Sequence, residues 1–582
     1  MQTTHSSRQH VVLDTIALTQ EELELLNTLR AAAEHANSGT VLRCAGGWVR
    51  DKLLGRESKD IDVAVDNMLG KDFAELVNQF LKSQGKESRN AAVIQSNPDQ
   101  SKHLETARMK INDLWIDLVN LRSETYASDS RIPTMQFGTP VQDALRRDFT
   151  INSMFYNINT NEVEDLTGRG RSDLKDGILR TPLAPLETFL DDPLRVMRAV
   201  RFATRFGFEL EMSLEEAASS EKVKEALGQK ISKERIGTEL EGMFNGPAPV
   251  AAVRLLDQLG LFLSVFALPP EQVNQLTVPA SSSSSSSSMT FGCACGDCME
   301  AAAAVASALG IVMDQEEKRF LQLAALVLPL RGMQVPGAKG KPTPATTYII
   351  RESIKWRAKD ADMTLQLHET AVEFLGVYTQ LLSSSSASSR GMDTELDSTA
   401  AGSGAADGVD CVKIALGLAI RKLKQHWKLG VVLSQVLAMP CARPFNPEVA
   451  DYSSILPSVH PSINTCGSTG SSTAAMVPTH PAVTNNTITD RHDIVESNLV
   501  SRGVEAGRLI MSAASAFGLE ECWQWKPLLD GKQVMPILGL QKPGPELGPA
   551  LAAVIEWQLT HPVGTADECK EFLVKHWAPS KQ

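Results

Sequence analysis

Two aspartates one residue apart, Asp60 and Asp62, lie shortly after a glycine pair, Gly46-Gly47. Side chains at alternate positions of a strand share a face, so in Asp60-Ile61-Asp62-Val63-Ala64-Val65 the two carboxylates project together. Adjacent carboxylates repel unless a cation neutralises them. Hard oxygen donors suit Mg²⁺, which is commonly held by one or two carboxylates together with substrate phosphates. Gly46 and Gly47 let the backbone approach an anion, and the helix start that follows turns free N–H groups towards it. The chemistry predicted is a metal-bound triphosphate. Taken alone, Asp-x-Asp usually marks a solvated strand edge and Gly-Gly a plain turn. The order strand, glycine pair, short helix, aspartate-bearing strand is far more specific.

The elements that must position these groups can be read around them. Residues 41–45 form an apolar run with strand character, 48–54 (including Arg50) a short helix, and 60–65 a second strand. Two further strand-like runs, 104–111 and 114–121, are joined by Asn112-Asp113, a reasonable hairpin turn. Asp117 sits in the second of these among Trp115, Ile116, Leu118 and Val119, where a charge needs a partner or a metal. It is the candidate third carboxylate, with Glu105 the other choice. The competing reading of Asp117 is an edge charge facing water.

The strand–GG–helix–strand–DxD order resembles the nucleotidyltransferase superfamily that includes DNA polymerase beta. A second block, Arg146-Arg147-Asp148-Phe149-Thr150-Ile151-Asn152, narrows it. It resembles the second motif of class II tRNA nucleotidyltransferases, the CCA-adding enzymes, and of the related bacterial poly(A) polymerases. By that resemblance Gly46, Gly47 and Arg50 belong to the nucleotide-binding set, Arg147 contacts the triphosphate, and Asp148 accepts from the ribose hydroxyl. Arginine's fork suits phosphate oxygens, and an aspartate suits a sugar hydroxyl. The third motif of the family is matched by Glu164-Asp165-Leu166-Thr167-Gly168-Arg169-Gly170, a hinge between head and neck. A fourth is matched by Asp191-Asp192-Pro193-Leu194-Arg195, where this chain carries Asp191 in place of the bacterial Glu. Asp192 can cap a helix whose first turn accepts Pro193. Arg195, Arg198, Arg201 and Arg205 then fall on one stripe. In isolation such a stripe is a solvated basic face. Lys233 to Leu240 resembles the fifth, helix-stabilising motif, with Glu234, Arg235 and Glu239 structural.

The fourth motif implies base selection by protein. The Watson–Crick edges of C and A each pair an exocyclic amine donor with a ring-nitrogen acceptor. Asp192 accepting from the amine and Arg195 donating to the ring nitrogen satisfy both bases. Uracil and guanine reverse both partners, and each buried polar group left unpaired costs on the order of 1–3 kcal/mol. Arg198 and Arg201 steady this pair or reach the triphosphate. Asp60, Asp62 and Asp117 are the predicted metal ligands and catalytic residues, with Mg²⁺ the cofactor implied.

At 582 residues with net charge −12, the chain holds several domains, and a local basic groove is compatible with an acidic total. No apolar run is long enough to span a membrane. The first twenty residues lack a signal-peptide core, which points to cytoplasm and nucleus, with a mitochondrial or plastid form reached from another start site. Of nine cysteines, Cys293, Cys295 and Cys298 cluster without a fourth ligand at finger spacing, so free thiols are expected.

The fold expected is α+β: a nucleotidyltransferase head with a small mixed sheet and helices, then an all-α neck, body and tail. The divisions are an N-terminal extension 1–40, head 41–180 and neck 181–270 with the nucleotide-selecting helix. A Ser-rich, Cys-containing insertion follows over 271–300, then helical body 301–380, a low-complexity insertion 381–410, body 411–460 and a second such insertion 461–490. The tRNA-binding tail is 491–582, where Lys532 and Lys542 around a Gly-rich turn are candidate phosphate contacts; a plain helix-capping turn is the competing reading. The function implied is template-independent addition of C, C and A to tRNA from CTP and ATP, with no membrane and no obligate protein partner. The alternatives are a poly(A) polymerase of the same class and an inactive RNA-binding scaffold.

Overall fold

The computed structural model describes residues 10–86, 92–94, 106–125, 133–273, 276, 290–337, 341–389, 403–445, 449–453 and 490–577. Described residues up to Ala267 form one compact unit and those from Leu268 a second.

The first unit opens with helix α1 (Gln20–His35), started by a capping box in which Thr19 and Glu22 satisfy each other's backbone N–H. The chain then builds β1 (Leu42–Ala45), α2 (Gly47–Leu53), β2 (Ile61–Val65), α3 (Gly70–Ser83), β3 (Ala92–Ile94), β4 (Thr106–Ile111) and β5 (Leu114–Asn120). A separate two-stranded ribbon, β6 (Arg122–Thr125) with β7 (Thr134–Phe137), leads into α4 (Pro140–Leu145), and β8 (Phe155–Asn157) and β9 (Glu162–Glu164) complete the sheet. The seven-stranded order is β3-β4-β5-β2-β1-β8-β9. Neighbours are antiparallel except β2 and β5, which run parallel with Asp62 paired to Asp117. That one parallel pairing puts the two aspartates abreast. The β4–β5 turn uses Asn112 and Asp113 at φ of 46° and 67°, the conformation a two-residue hairpin demands.

Helices α5 (Gly170–Asp176), α6 (Pro185–Asp191), α7 (Leu194–Phe206), α8 (Met212–Ala218), α9 (Glu221–Lys230), α10 (Lys233–Phe244) and α11 (Pro249–Gln258) follow. α7 buries Val196, Met197, Ala199, Val200, Phe202, Ala203 and Phe206, packing against α10 and α11. Its arginines lie outside this buried set, and Arg198 and Arg201 reach Glu239 of α10.

Among its described residues the second unit is helical but for one short two-stranded ribbon. Phe291–Ala308, Gln315–Leu326, Ala358–Ser389, Trp427–Leu437 and Asp490–Ala516 pack on one another. Gly531–Ile537, Leu547–Thr560 and Ala566–Trp577 share a small core of Leu529, Val534, Ala550, Val554, Cys569 and Leu573. The α+β head followed by all-α architecture is the fold observed.

Two expectations need correction. Residues 291–300, placed in an insertion, open the helix Phe291–Ala308, whose N-cap Thr290 accepts from Cys293 N at 3.1 Å. Cys295 and Cys298 lie buried in it as free thiols. The segment 381–410, placed as low complexity, is entered by helices from both sides, to Ser389 and from Ser403. Extending an established helix through Ser and Ala adds hydrogen bonds without new nucleation, so composition alone misleads there. Within the body assigned to 411–460, residues 412–437 are helical, in two pieces parted where Lys424 takes φ 55°. The serine run 281–288 and the segment 461–489 lie outside the described residues.

Candidate active site

The turn between β1 and α2 is set by Gly46, at φ 69° and ψ −126°, a region open essentially to glycine. A Cβ there would meet Arg147 Nη1 at 2.7 Å, so a guanidinium lies directly over the turn. Beside it, Asp60, Asp62 and Asp117 each offer an oxygen within 4.8 Å of the others. Burial pushes Asp62 up to about 6, and Asp60 adds to the effect; Arg147 opposes it, Asp117 raises it again and Arg122 opposes. The crowding that raises Asp62 is what a bound cation would relieve. The donor set is all hard oxygen and fits a divalent ion. Asp117 also lies 3.6 Å from Arg108 Nε. Glu105 falls outside the described residues.

Arg147 is held from several sides. Its Nε and Nη2 donate to Asp143 Oδ2 at 3.1 and 2.9 Å, its Nη1 donates to the Asn152 carbonyl at 3.2 Å, and its guanidinium lies 5.1 Å from the Phe155 ring centre. Asp148 is buried: Oδ2 accepts from Arg198 Nε at 2.8 Å and Oδ1 from Asn152 Nδ2 at 3.0 Å. Burial pushes its carboxyl up, but Arg198 and these hydrogen bonds prevail and hold it at about 2. In this structure the carboxylate expected to meet a ribose is thus engaged by Arg198. Arg50 is 4% exposed, donates to Asp51 at 2.9 Å and to Asn152, and lies over the rings of Phe202 and Phe206. It shapes the turn from behind rather than facing the carboxylates.

The arginines of α7 do not act as a solvated stripe. Arg195 Nη2 donates to the Arg146 carbonyl at 2.7 Å and stands 4.0 Å from Glu124. Arg198 serves Asp148, Arg201 pairs with Glu239 at 2.6 Å, and Arg205 lies over Phe206. Asp192 accepts from Leu194 N at 3.3 Å and from Arg235 Nη2 at 3.4 Å. Pro193 rather than Asp192 is the N-cap residue, yet Asp192 still satisfies one of the orphan N–H groups of α7. Glu239 and Arg235, both on α10, therefore brace α7 and the Asp192 that precedes it. The structure brings Gly46, Gly47, Asp60, Asp62, Asp117, Arg147, Asp148, Asp192, Arg195, Arg198 and Arg201 into the first unit around this network. Lys532 and Lys542 are exposed in the second unit, at the start of helix Gly531–Ile537 and in the turn after it.

Sequence reasoning missed Asp143, Glu124 and Asn152. Asp143 precedes Arg146 and Arg147 by three and four residues, the helical spacing at which side chains meet, and that signal was available. Glu124 sits on the β6–β7 ribbon, which has no periodicity marked enough to be read.

Carboxylates converging from adjoining parallel strands beside a glycine turn, with arginines closing over both, define a nucleotidyltransferase head. Residues 42–180 match the poly A polymerase head domain, and 207–276 the probable RNA and SrmB-binding site of polymerase A. The mitochondrial CCA tRNA nucleotidyltransferase of Candida glabrata is 31% identical, over 97% of this chain and 97% of that one. The tRNA nucleotidyltransferase cca2 of Schizosaccharomyces pombe is also 31% identical, over 96% and 98%. Among solved structures, the Bacillus stearothermophilus CCA-adding enzyme in complex with CTP shares the fold, with a TM-score of 0.53 and 17% identity across 96% of this chain and 98% of that one. The chain belongs to the CCA tRNA nucleotidyltransferase family.

Proposed function

We propose that the protein adds C, C and A in turn to the 3′ end of tRNA, taking CTP and ATP as substrates and selecting each base without a nucleic-acid template. The observation that carries the reading is the meeting of Asp60, Asp62 and Asp117 within 4.8 Å, beside Arg147 over the Gly46 turn, in a head of this family. The tRNA 3′-hydroxyl attacks the α-phosphorus in line, and pyrophosphate leaves. Mg²⁺ held by the three aspartates would lower the cost of deprotonating that hydroxyl and neutralise charge on the leaving group. Arg147 offsets charge on the β- and γ-phosphates. Asp192 and Arg195 read the base edge, Arg198 and Arg201 hold that helix face in place, and Asp148 accepts from the ribose hydroxyl. Lys532 and Lys542 are proposed to contact tRNA phosphates from the tail, within the divisions set out from the sequence. A mitochondrial pool, supported by the designation of the Candida relative, is proposed alongside cytoplasm and nucleus.

The test is incorporation of labelled CTP and ATP, singly and together, onto tRNA lacking its CCA end, with an Asp60→Ala, Asp62→Ala double variant alongside. Extension that stops after C, C and A, absent in the variant, is the expected result. Long A tails without use of CTP would make the protein a poly(A) polymerase. tRNA binding with no transfer would leave an RNA-binding scaffold.

A further inference from the structure

We propose that Asp143 is a positioning residue that locks the triphosphate-binding arginine and the base-selecting arginine to one another. The inference rests on the nucleotidyl-transfer reading above and goes beyond it, because no base or phosphate is expected to touch Asp143. Its side chain is 1% exposed. Oδ1 accepts from Arg146 Nε at 2.8 Å, Arg146 Nη2 at 2.5 Å and the backbone N of Arg122 at 3.2 Å. Oδ2 accepts from Arg147 Nε and Nη2 at 3.1 and 2.9 Å. One carboxylate thus receives two arginine forks from adjacent residues.

From this node two arms run out. The Arg147 arm reaches over the Gly46 turn, with Nη1 2.7 Å from where a Cβ would stand and the guanidinium close enough to oppose the rise at Asp62. The Arg146 arm accepts Arg195 Nη2 on its carbonyl at 2.7 Å, while Arg146 Nη1 pairs with Glu124 at 2.8 Å. Arg195 is the base-edge donor. Arg146 and Arg147 would repel each other as neighbouring cations without the charge between them. Burial alone would push the Asp143 carboxyl up, yet Arg147 and Arg146 hold it below the ordinary range, so it stays ionised in the pair. A bidentate fork fixes direction as well as distance. A residue placed only for stability would need one such pair; here the two partners lead separately to the phosphate end and the base end of the same nucleotide.

The full-length chain tests this with Asp143→Asn, which keeps shape and removes charge, and Asp143→Glu, which keeps charge and moves it by a methylene. CTP and CMP binding are measured by competition, and steady-state rates with CTP, ATP and UTP on tRNA lacking its CCA end. For Asp143→Asn the KM for CTP is expected to rise by about tenfold, equivalent to ~1.4 kcal/mol. The KM for tRNA stays within about twofold, and the preference for CTP over CMP falls towards parity. UTP incorporation relative to CTP rises, because Asp143 no longer fixes Arg146, whose carbonyl holds Arg195. Asp143→Glu should recover part of each loss. The inference is overturned if folded Asp143→Asn keeps its CTP-over-CMP preference and its exclusion of UTP, or loses CTP and tRNA affinity together. Should Asp143→Asn fail to fold, Asp143→Glu decides: unchanged triphosphate preference and UTP exclusion would overturn it as well. Wild-type protein with no preference for CTP over CMP would overturn the nucleotidyl-transfer reading, and the inference with it.

Discussion

Gly46 shows how one residue can carry both a backbone and a side-chain requirement. Its φ of 69° with ψ of −126° is open to glycine and strained for any residue with a Cβ, and the same Cβ would strike Arg147 Nη1 at 2.7 Å. The far end of an arginine can move, so the steric cost is modest, while the backbone cost is on the order of 1–3 kcal/mol. Gly46→Ala is therefore expected to lower the melting temperature by a few degrees and turnover strongly, by about tenfold or more, because Arg147, proposed to meet the phosphates, is turned away. Circular dichroism melts beside CTP incorporation check it; a variant that melts several degrees lower but turns over normally would show that Arg147 does not depend on the turn. At this scale the sequence was legible where a residue type has few uses. Gly-Gly before a helix and Asp-x-Asp in a strand could be read directly, and both fall where the carboxylates meet. Arg50 was not legible: nothing in its position distinguishes a phosphate-facing arginine from one buried on Asp51 and two phenylalanine rings.

Elements set the distances that residues cannot. Asp62 and Asp117 are brought abreast by the parallel pairing of β2 with β5, and α3 packs on that pair through a glycine at its first position. A Cβ at Gly70 would lie 2.5 Å from the Leu118 carbonyl oxygen, a backbone atom that cannot swing aside. Gly70→Ala must push α3 from β5, a displacement costing about 1–3 kcal/mol by the measure of overpacked cores. Because Leu118 follows Asp117, loss of activity is expected with loss of stability. Urea unfolding and CTP incorporation on the same preparation test the pairing of effects; full stability in Gly70→Ala would mean the helix has room the structure does not show. Strands β1, β2, β4 and β5 were readable to within two residues, since apolar runs and an Asn-Asp turn have one economical reading, whereas β3 and β6 to β9 were not read. The arginine stripe of α7 was readable as a helix face but not as a set of separate ties. Its partners Glu124, Asp148 and Glu239 come from distant parts of the chain, and spacing along one helix holds no information about them.

For the molecule as a whole, composition was the weakest guide. A net charge of −12 conceals the arginines gathered in the first unit, and Ser- and Ala-rich stretches conceal helical ends in the second. The second unit also carries a buried titratable group that composition cannot reveal. His368, on the helix Ala358–Ser389, is 7% exposed, and its Nε2 lies 2.8 Å from the Ala324 carbonyl. A carbonyl only accepts, so Nε2 carries a proton. Burial pushes its pKa from 6.5 down to about 4, against the Ala324 carbonyl and with a further push from Arg331, so the ring is neutral at pH 7. The native state therefore refuses a proton that the unfolded chain accepts below about pH 6.5. Stability from this group is complete above that pH and is lost as the pH falls from about 6.5 to about 4, for a total near 3 kcal/mol at 1.36 kcal/mol per unit. Carboxylates titrate in the lower part of the same window, so wild type alone cannot isolate the histidine. His368→Gln keeps a donor for Ala324 and cannot titrate, and the difference between the two proteins isolates it. The expected outcome is a midpoint in urea that falls less between pH 7 and pH 4.5 for His368→Gln than for wild type. Equal falls would assign the acid sensitivity of the protein to its carboxylates instead.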